Sequence, residues 1–175
     1  MSQSNIRFFG CNGKISSVND FISKVSAFSQ KYQIGIQTLD AEVVFGKDHI
    51  ISAFHHAKRS FDRNEASMNS LEMELLLYAA GERQIKHALK KMGVKKGDSS
   101  FVTIFIINDI SIDDVDNIID IFIHDFNLKR DDEVLNPDKN KLTTFGIDQK
   151  AINSVKKDQC FQLVLEKVAL VDIIK

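Results

Sequence analysis

Residues 100–107, SFVTIFII, constrain the fold more than any other stretch of the sequence. Phe, Val, Thr and Ile are the residue types enriched in β-strands, and here they follow one another almost without interruption by polar residues. A strand of this composition is buried on both of its faces. The sequence therefore predicts a central strand in a sheet that carries helices packed on it.

Apolar residues at three- and four-residue spacing flank this strand and indicate a helix-rich chain. The predicted helices cover residues 18–32, 47–64, 71–80, 82–92, 112–126, 149–155 and 158–173. Their predicted caps are Ser17, either Asn69 or Ser70, Ser111 and Asp148. Further strands are predicted at residues 6–11, ending in a CNG turn, and at 35–39, with a candidate short strand at 141–145 in an otherwise irregular loop. Together they predict one α+β (mixed α/β) domain over residues 1–175, with a small central sheet, mixed or antiparallel.

The charge of the chain is nearly balanced but unevenly distributed. The formal net charge is −1, which excludes a polycation that binds nucleic acid over its whole surface. Residues 82–96 hold six Lys and Arg against one Glu, whereas residues 109–133 hold nine acids against two basic residues. Two oppositely charged regions are typical of a protein that binds two different partners. Two solvated faces of the molecule would give the same pattern.

No pattern for catalysis, a cofactor or a metal is found in the sequence. It has neither GxxxxGK[ST] nor GxGxxG, and no GxSxG nucleophile motif. His49 and His56, seven residues apart on one predicted helix, are separated by about 10 Å, too far for one metal ion. We therefore expect a non-enzymatic protein without cofactor or metal.

The cysteines and the apolar runs indicate a cellular compartment. Cys11 and Cys160 are far apart and outside any CxxC motif, which is typical of a reduced intracellular protein. The first ten residues lack the layout of a signal peptide. No apolar run approaches the ~20 residues needed to span a bilayer, so a cytoplasmic protein without membrane contact is expected.

The predicted helix over residues 82–92 is the clearest candidate for nucleic-acid binding. Its basic residues recur at three- and four-residue spacing: Arg83, Lys86, His87, Lys90 and Lys91. Such a row would grip a phosphate backbone, and Gln84 would add an amide able to contact a base edge. Lysines near a helix C-terminus also stabilise the helix dipole, so a purely solubilising role stays open.

The predicted final helix carries two apolar stripes, where a surface helix needs one. The first stripe is Phe161, Val164, Leu165, Val168 and Val171, and the second is Leu163, Leu170 and Ile174. Either the helix is buried on two sides or one stripe contacts a partner protein.

Three segments resemble the kinase-binding regulatory subunit of the KEOPS (EKC) complex. They are LDAEVVFGKDHIISAFHHAKRSF, SLEMELLLYAAGERQIKHALKKMGVK and LVLEKVALVDI. The resemblance implies a subunit that is not itself an enzyme. It implies that the subunit binds and stimulates the small atypical kinase/ATPase of the complex. It also implies that the subunit recruits tRNA by its 3′ CCA end for threonylcarbamoyladenosine modification next to the anticodon. The threonylcarbamoyl transferase and the dimerising subunit are then indirect partners.

The resemblance also suggests site residues. The segment RQI and the lysines after it would contact the CCA end, with Lys58 and Arg59 extending the patch; the set is Arg83, Gln84, Ile85, Lys86, Lys90, Lys91, Lys58 and Arg59. Ile85 would pack against a terminal base, in conflict with its place in the apolar seam of its helix. Kinase contacts are expected on the final helix, at Leu163, Val164, Lys167, Leu170 and Val171. The alternative is a structural adaptor that binds protein only and has no RNA affinity.

Overall fold

The computed structural model describes residues 5–107 and 112–174. Within these residues the sheet has four strands, β1 (Asn5–Ile15), β2 (Gly35–Asp40), β3 (Gly97–Ile107) and β4 (Lys129–Arg130), in the order β2-β3-β1-β4. All neighbouring strands are antiparallel, and Phe105 of β3 lies opposite Arg7 on one side and Ile36 on the other. The predicted central strand and the α+β class are therefore confirmed, and the sheet is antiparallel.

Eight helices account for most of the remaining described residues. They are α1 (Val18–Tyr32), α2 (Gly46–Asp62), α3 (Leu71–Ala80), α4 (Ile85–Met92), α5 (Ile112–Asp125), α6 (Lys139–Phe145), α7 (Gln149–Ser154) and α8 (Cys160–Ile174). Short 3₁₀ turns occupy Ala41–Val43, Asp132–Leu135 and Lys157–Gln159. Within the described ranges, none of these helices combines the length and apolar character that crossing a bilayer requires.

Three of the predicted helix caps are confirmed by hydrogen bonds. The side chains of Ser17, Ser70 and Asp148 each accept a backbone N–H from the first turn of the helix that follows. These bonds satisfy donors that have no partner inside the helix, which explains why the three helices begin there. The cap predicted at Ser111 lies outside the described residues.

The sheet separates two hydrophobic clusters. Helices α1 and α5 cover one face, where the ring of Phe122 lies 5.1 Å from that of Phe28 and 5.5 Å from that of Phe105, both edge-to-face. The opposite face, which includes Leu39, Val102 and Ile104, is covered by α2, α3 and α8 with the shorter helices around them. Helix α3 is buried from Glu74 to Ala80, as its wide apolar arc predicts.

Two sequence expectations about the sheet are wrong. The strand predicted to end at a CNG turn continues to Ile15, because residues 12–15 remain paired with β3. Gly10 and Gly13 also let other segments lie directly against β1. A Cβ atom at Gly10 would lie 2.1 Å from the carbonyl oxygen of Asp131, and one at Gly13 would lie 2.4 Å from the side chain of Leu128. Gly13, which resembles part of a turn signal, is therefore a contact point inside the strand, as Gly10 is.

The candidate strand at residues 141–145 is also wrong, because this segment lies in α6. The carboxylate of Asp138 accepts a hydrogen bond from the backbone N–H of Asn140 at 2.7 Å and caps the helix. Gly146, at φ 98°, ends it in the left-handed conformation that glycine adopts readily. Local capping therefore outweighs the β-forming character of residues 141–145.

Candidate functional sites

The basic residues Arg83, Lys86 and Lys90 form a row that is predicted to lie on one helix. In the structure this row begins in a bend that precedes the helix. Gly81 ends α3 at φ 64°, and α4 starts only at Ile85, with Gln84 as its N-cap. Arg83 and Gln84 are exposed in this bend. The helix start predicted at Glu82 is thus three residues too early, because the left-handed Gly81 interrupts the helical path.

Helix α4 presents a charged face to solvent. Lys86, His87 and Lys90 are exposed, whereas Ala88 and Met92 are fully buried. Leu89 lies four residues after Ile85, at helical spacing from it, but it is 48% exposed, and the buried residues of α4 are Ala88 and Met92. The exposed face of α4 is therefore basic with one apolar side chain in it.

Lys91 is directed into the protein instead of joining the exposed row. Its ammonium donates a hydrogen bond to the carbonyl oxygen of Ala80 at 2.6 Å and lies 3.7 Å from the carboxylate of Glu82. It also lies 3.7 Å from the ring centroid of Phe145. Burial lowers the pKa of Lys91, and Glu82 partly offsets this. These contacts give Lys91 a structural role at the C-terminal end of α3.

Ile85 is half-buried, which reconciles its two expected roles. Its side chain packs against the cluster that contains α2, α3 and α8, and it remains partly accessible at the start of α4. Ile85 therefore supports the core and still has apolar surface next to Arg83, Gln84 and Lys86.

The two predicted basic residues of α2 are engaged elsewhere. Lys58 forms an ion pair with Asp62 one turn later, and Arg59 NH2 lies 3.0 Å from the carboxylate of Asp172 in α8. Helix α2 packs on α3 and α8, while α4 packs mainly on α3. Lys58 and Arg59 are thus on the α8 side of the molecule, apart from the row on α4.

Helix α8 buries three residues of its first predicted stripe, Val164, Val168 and Val171, whereas Leu165 is half-buried and Phe161 is exposed. Val164 and Val171 have no accessible surface, so two of the five residues expected to contact a kinase lie in the core. Leu163 and Leu170 are half-buried, and Lys167 is exposed. Val164 and Val171 are therefore corrected to core positions, because their stripe faces α2 and α3.

Other large apolar residues of α2 and α8 are exposed, among them Ile174, which is 41% exposed. Ile173 is 77% exposed, Phe161 is 37% exposed, and Ile51 of α2 is 38% exposed. Phe161 lies beside the start of α2, and Asp172 contacts its later turns, so the two helices run side by side in the same direction. We call the surface formed by Ile51, Phe161 and Ile173 the α2–α8 face.

The α2–α8 face extends at one end into a groove of about 660 Å³. Phe45, Pro137 and Phe161 form its apolar part, and charged residues from α6 and from Lys157–Gln159 surround it. The sequence prediction did not identify this groove, because its walls come from three segments that are distant in the chain.

A polar network fixes α8 to its neighbours. Oδ1 of Asp172 accepts a hydrogen bond from the Tyr78 hydroxyl at 2.5 Å, and Oδ2 lies 2.7 Å from Nδ1 of His56 and 3.0 Å from Arg59 NH2. Burial alone would raise the pKa of Asp172, but the hydrogen bonds from Tyr78, His56 and Arg59 lower it overall. The spacing of His56 and Asp172 in the chain gives no hint of this contact.

Among the described residues, no three His, Cys, Asp or Glu side chains lie together in a way that could hold a metal ion. His49, the most deeply buried histidine of this region, accepts a hydrogen bond from the Phe45 backbone N–H at Nδ1 and bonds the Ala79 carbonyl oxygen through Nε2. Both ring nitrogens are therefore used to connect the start of α2 to the end of α3.

The chain matches a known protein family over most of its length. The family described as Kinase binding protein CGI-121 matches residues 14–172 of the chain. A curated relative, Regulatory protein Cgi121 of Methanocaldococcus jannaschii, is 39% identical over 62 residues. That alignment covers 35% of the chain and 40% of the relative, so the chain spans well under two thirds of the relative's length.

Proposed function

Because the chain belongs to the family described as Kinase binding protein CGI-121, we propose that it is a non-catalytic regulatory subunit that binds and stimulates a small atypical kinase/ATPase. The same proposal includes recruitment of tRNA by its 3′ CCA end for threonylcarbamoyladenosine modification next to the anticodon. The transferase and the dimerising subunit of the KEOPS complex would then be indirect partners, in the cytoplasm.

The α2–α8 face supports the kinase contact. It presents three exposed apolar side chains, Ile51, Phe161 and Ile173, on two helices that the Asp172 network holds in a fixed arrangement. Exposed apolar side chains on neighbouring helices are a common feature of protein interfaces. This exposed face is the single observation that carries the kinase-binding proposal, and it replaces the buried Val164 and Val171.

Substitution on the α2–α8 face tests the kinase contact. Ile51→Asp and Ile173→Asp should each weaken binding to the purified kinase about tenfold or more and reduce stimulation of its ATPase rate. Ile22→Asp is a matched control, because Ile22 is 45% exposed on α1, across the sheet from α8. Equal affinity of the three variants would remove the α2–α8 face from the proposal.

The exposed row on and before α4 supports the tRNA contact. Arg83, Lys86 and Lys90 are exposed, and among the described residues they have no ion-pair partner. Cations that are free of internal partners are available to phosphates. The accessible edge of Ile85 and the amide of Gln84 add an apolar and a polar contact for unstacked bases.

A gel shift with tRNA that carries or lacks its CCA end tests this contact. The wild-type protein should bind the complete tRNA more tightly, and Arg83→Glu and Lys86→Glu should weaken that binding. Lys150→Glu, at an exposed lysine of α7, controls for the change in total charge. If wild-type protein binds both RNAs equally, or neither, recognition of the CCA end is rejected.

A protein-only adaptor is the second candidate. The internal contacts of Lys58, Arg59 and Lys91 favour it, since three of the eight residues expected at RNA are occupied within the protein. It predicts full kinase binding and no RNA affinity at any salt concentration.

A further inference from the structure

A polar cleft of about 260 Å³ lies just beyond the C-terminal end of α4, where the end of β2 meets the start of β3. It is distinct from the exposed row of Arg83, Lys86 and Lys90. Its charged residues are Asp40, Glu42, Lys95, Lys96 and Asp98, and Ser99 and Ser100 add hydroxyl groups.

Asp40 is the unusual member of this cleft, because it is 94% buried yet polar. Its Oδ1 accepts a hydrogen bond from the backbone N–H of Glu42 at 3.0 Å and so caps the 3₁₀ turn. Within the described part of the chain, Oδ2 has no well-directed hydrogen bond; the Lys95 ammonium lies 2.5 Å from it in an ion pair.

The ion pair with Lys95 is one that a ligand can replace. The Lys95 side chain is 60% exposed, so it is held mainly by this single contact and can turn toward solvent. A buried carboxylate whose cation leaves needs new hydrogen-bond donors, because an unpaired buried charge is strongly unfavourable. A suitable ligand therefore brings an anion for Lys95 and hydroxyl or amino donors for Asp40.

The 3′ end of an RNA has this combination of groups. Its last ribose carries free 2′- and 3′-hydroxyls, which donate hydrogen bonds, and a phosphate on the 5′ side. Lys95 and the exposed Lys96 would contact the phosphate, while the two hydroxyls donate to Asp40. Internal nucleotides lack the free 3′-hydroxyl, so such a site distinguishes a chain end from a continuous strand.

The distance along α4 agrees with this assignment. The eight residues Ile85–Met92 extend roughly 12 Å at ~1.5 Å per residue, and Lys95 follows three residues later. Three nucleotides at ~3.4 Å each extend about 10 Å. A CCA segment whose last nucleotide lies in the cleft therefore extends back along the basic face of α4 past Lys90, and the nucleotides before it continue toward Ile85.

We propose that this cleft holds the terminal ribose of the RNA 3′ end, with its 2′- and 3′-hydroxyls bonded to Asp40 while Lys95 moves to the adjacent phosphate. The inference rests on the proposed tRNA binding and assigns the residues that recognise the end itself.

Two versions of one tRNA test the inference. One ends in ordinary adenosine and the other in 2′,3′-dideoxyadenosine, so that base and phosphates are identical and only the two hydroxyls differ. Wild-type protein should bind the dideoxy form about tenfold or more weakly, since each lost hydrogen bond goes to a charged acceptor. Equal binding of the two forms overturns the inference and leaves the proposed tRNA binding intact. Failure to bind either form overturns both.

The variant Asp40→Asn tests whether the preference for the hydroxylated RNA end depends on the Asp40 carboxylate. Asparagine is also a good N-cap, so the variant keeps the bond from Glu42 N–H but loses the charge, and a thermal melt checks its folding. The preference for the hydroxylated end should shrink to about threefold or less. Glu42→Gln, at the exposed carboxylate of the same cleft, should keep the full preference. Undiminished preference in Asp40→Asn would overturn the role of Asp40.

Discussion

The Tyr78 hydroxyl donates a hydrogen bond to Oδ1 of Asp172 at 2.5 Å and thereby joins α3 to α8. The other oxygen of the same carboxylate contacts His56 and Arg59 of α2. A single side chain thus connects three helices next to Ile173, the most exposed apolar residue of the α2–α8 face. The orientation of that face depends on a polar contact in addition to the apolar packing of Val164, Val168 and Val171.

Tyr78→Phe should lower the free energy of unfolding by about 1–2 kcal/mol, because it removes a hydrogen bond to a charged acceptor and leaves the ring in place. Guanidinium unfolding at neutral pH measures this change. Affinity for the kinase should also fall, since α8 loses one of its fixed contacts.

Tyr32→Phe is the matched control for the loss of one hydroxyl. The ring of Tyr32 lies 4.4 Å from that of Phe28, also in α1, and within the described residues its hydroxyl has no hydrogen-bond partner. This variant should unfold like the wild type. A stability loss in Tyr32→Phe equal to that in Tyr78→Phe would show that the bond to Asp172 contributes nothing specific.

The buried His49 makes stability depend on pH. Burial lowers the pKa of His49 from 6.5 to about 4, with a smaller opposing effect of the bond to Ala79. Between these values the unfolded chain binds a proton that the folded chain does not, so the free energy of unfolding falls as the pH drops from about 6.5 toward 4. The loss over the whole window should be about 3 kcal/mol, measured by chemical unfolding at a series of pH values.

Two histidine variants isolate this effect. His49→Gln removes the titrating group, so its stability should change less steeply with pH over the same window. His124→Gln should retain the wild-type dependence, because the His124 side chain is 90% exposed. Identical pH slopes for His49→Gln and the wild type would assign the dependence to other groups.

Most secondary structure was predictable because its determinants are local. The apolar run of β3 and the caps at Ser17 and Ser70 act within a few residues, and each of them is confirmed. The errors arise where distant segments decide the outcome. Gly13 belongs to a strand in which Leu128, over a hundred residues later, lies directly against it, and no local pattern carries that information.

The exposed surface of α4 was predictable in part for the same reason. Spacing identifies Lys86 and Lys90 as one face of α4, and both are exposed. Spacing does not show that Lys91 is bound by Ala80 and Phe145, or that Val164 is enclosed by α2 and α3. Packing against other elements decides which stripe of a helix remains at the surface. The exposed stripe can therefore be identified only from the three-dimensional structure.

We expect Lys90 to contact RNA and its neighbour Lys91 to stabilise the fold. The variants Lys90→Met and Lys91→Met should distinguish these two roles. Lys91→Met should lower the free energy of unfolding by about 1–2 kcal/mol, because the carbonyl oxygen of Ala80 loses a charged donor, while tRNA affinity changes little. Lys90→Met should weaken tRNA binding at unchanged stability, since Lys90 is exposed. Thermal unfolding and a tRNA titration on both variants test this, and the reverse pattern would contradict the assignment.

The salt dependence of RNA binding should report how many phosphates the basic row contacts. For a single-stranded oligonucleotide ending in CCA, the slope of log K against log salt concentration is about −0.7 per neutralised phosphate. Arg83→Gln and Lys86→Gln should each make the slope about 0.7 less steep if each residue contacts one phosphate. Lys150→Gln, on the exposed surface of α7, should leave it unchanged. Titrations at four or more salt concentrations give the slopes, and a uniform slope for all three variants would show that neither Arg83 nor Lys86 contacts the RNA backbone.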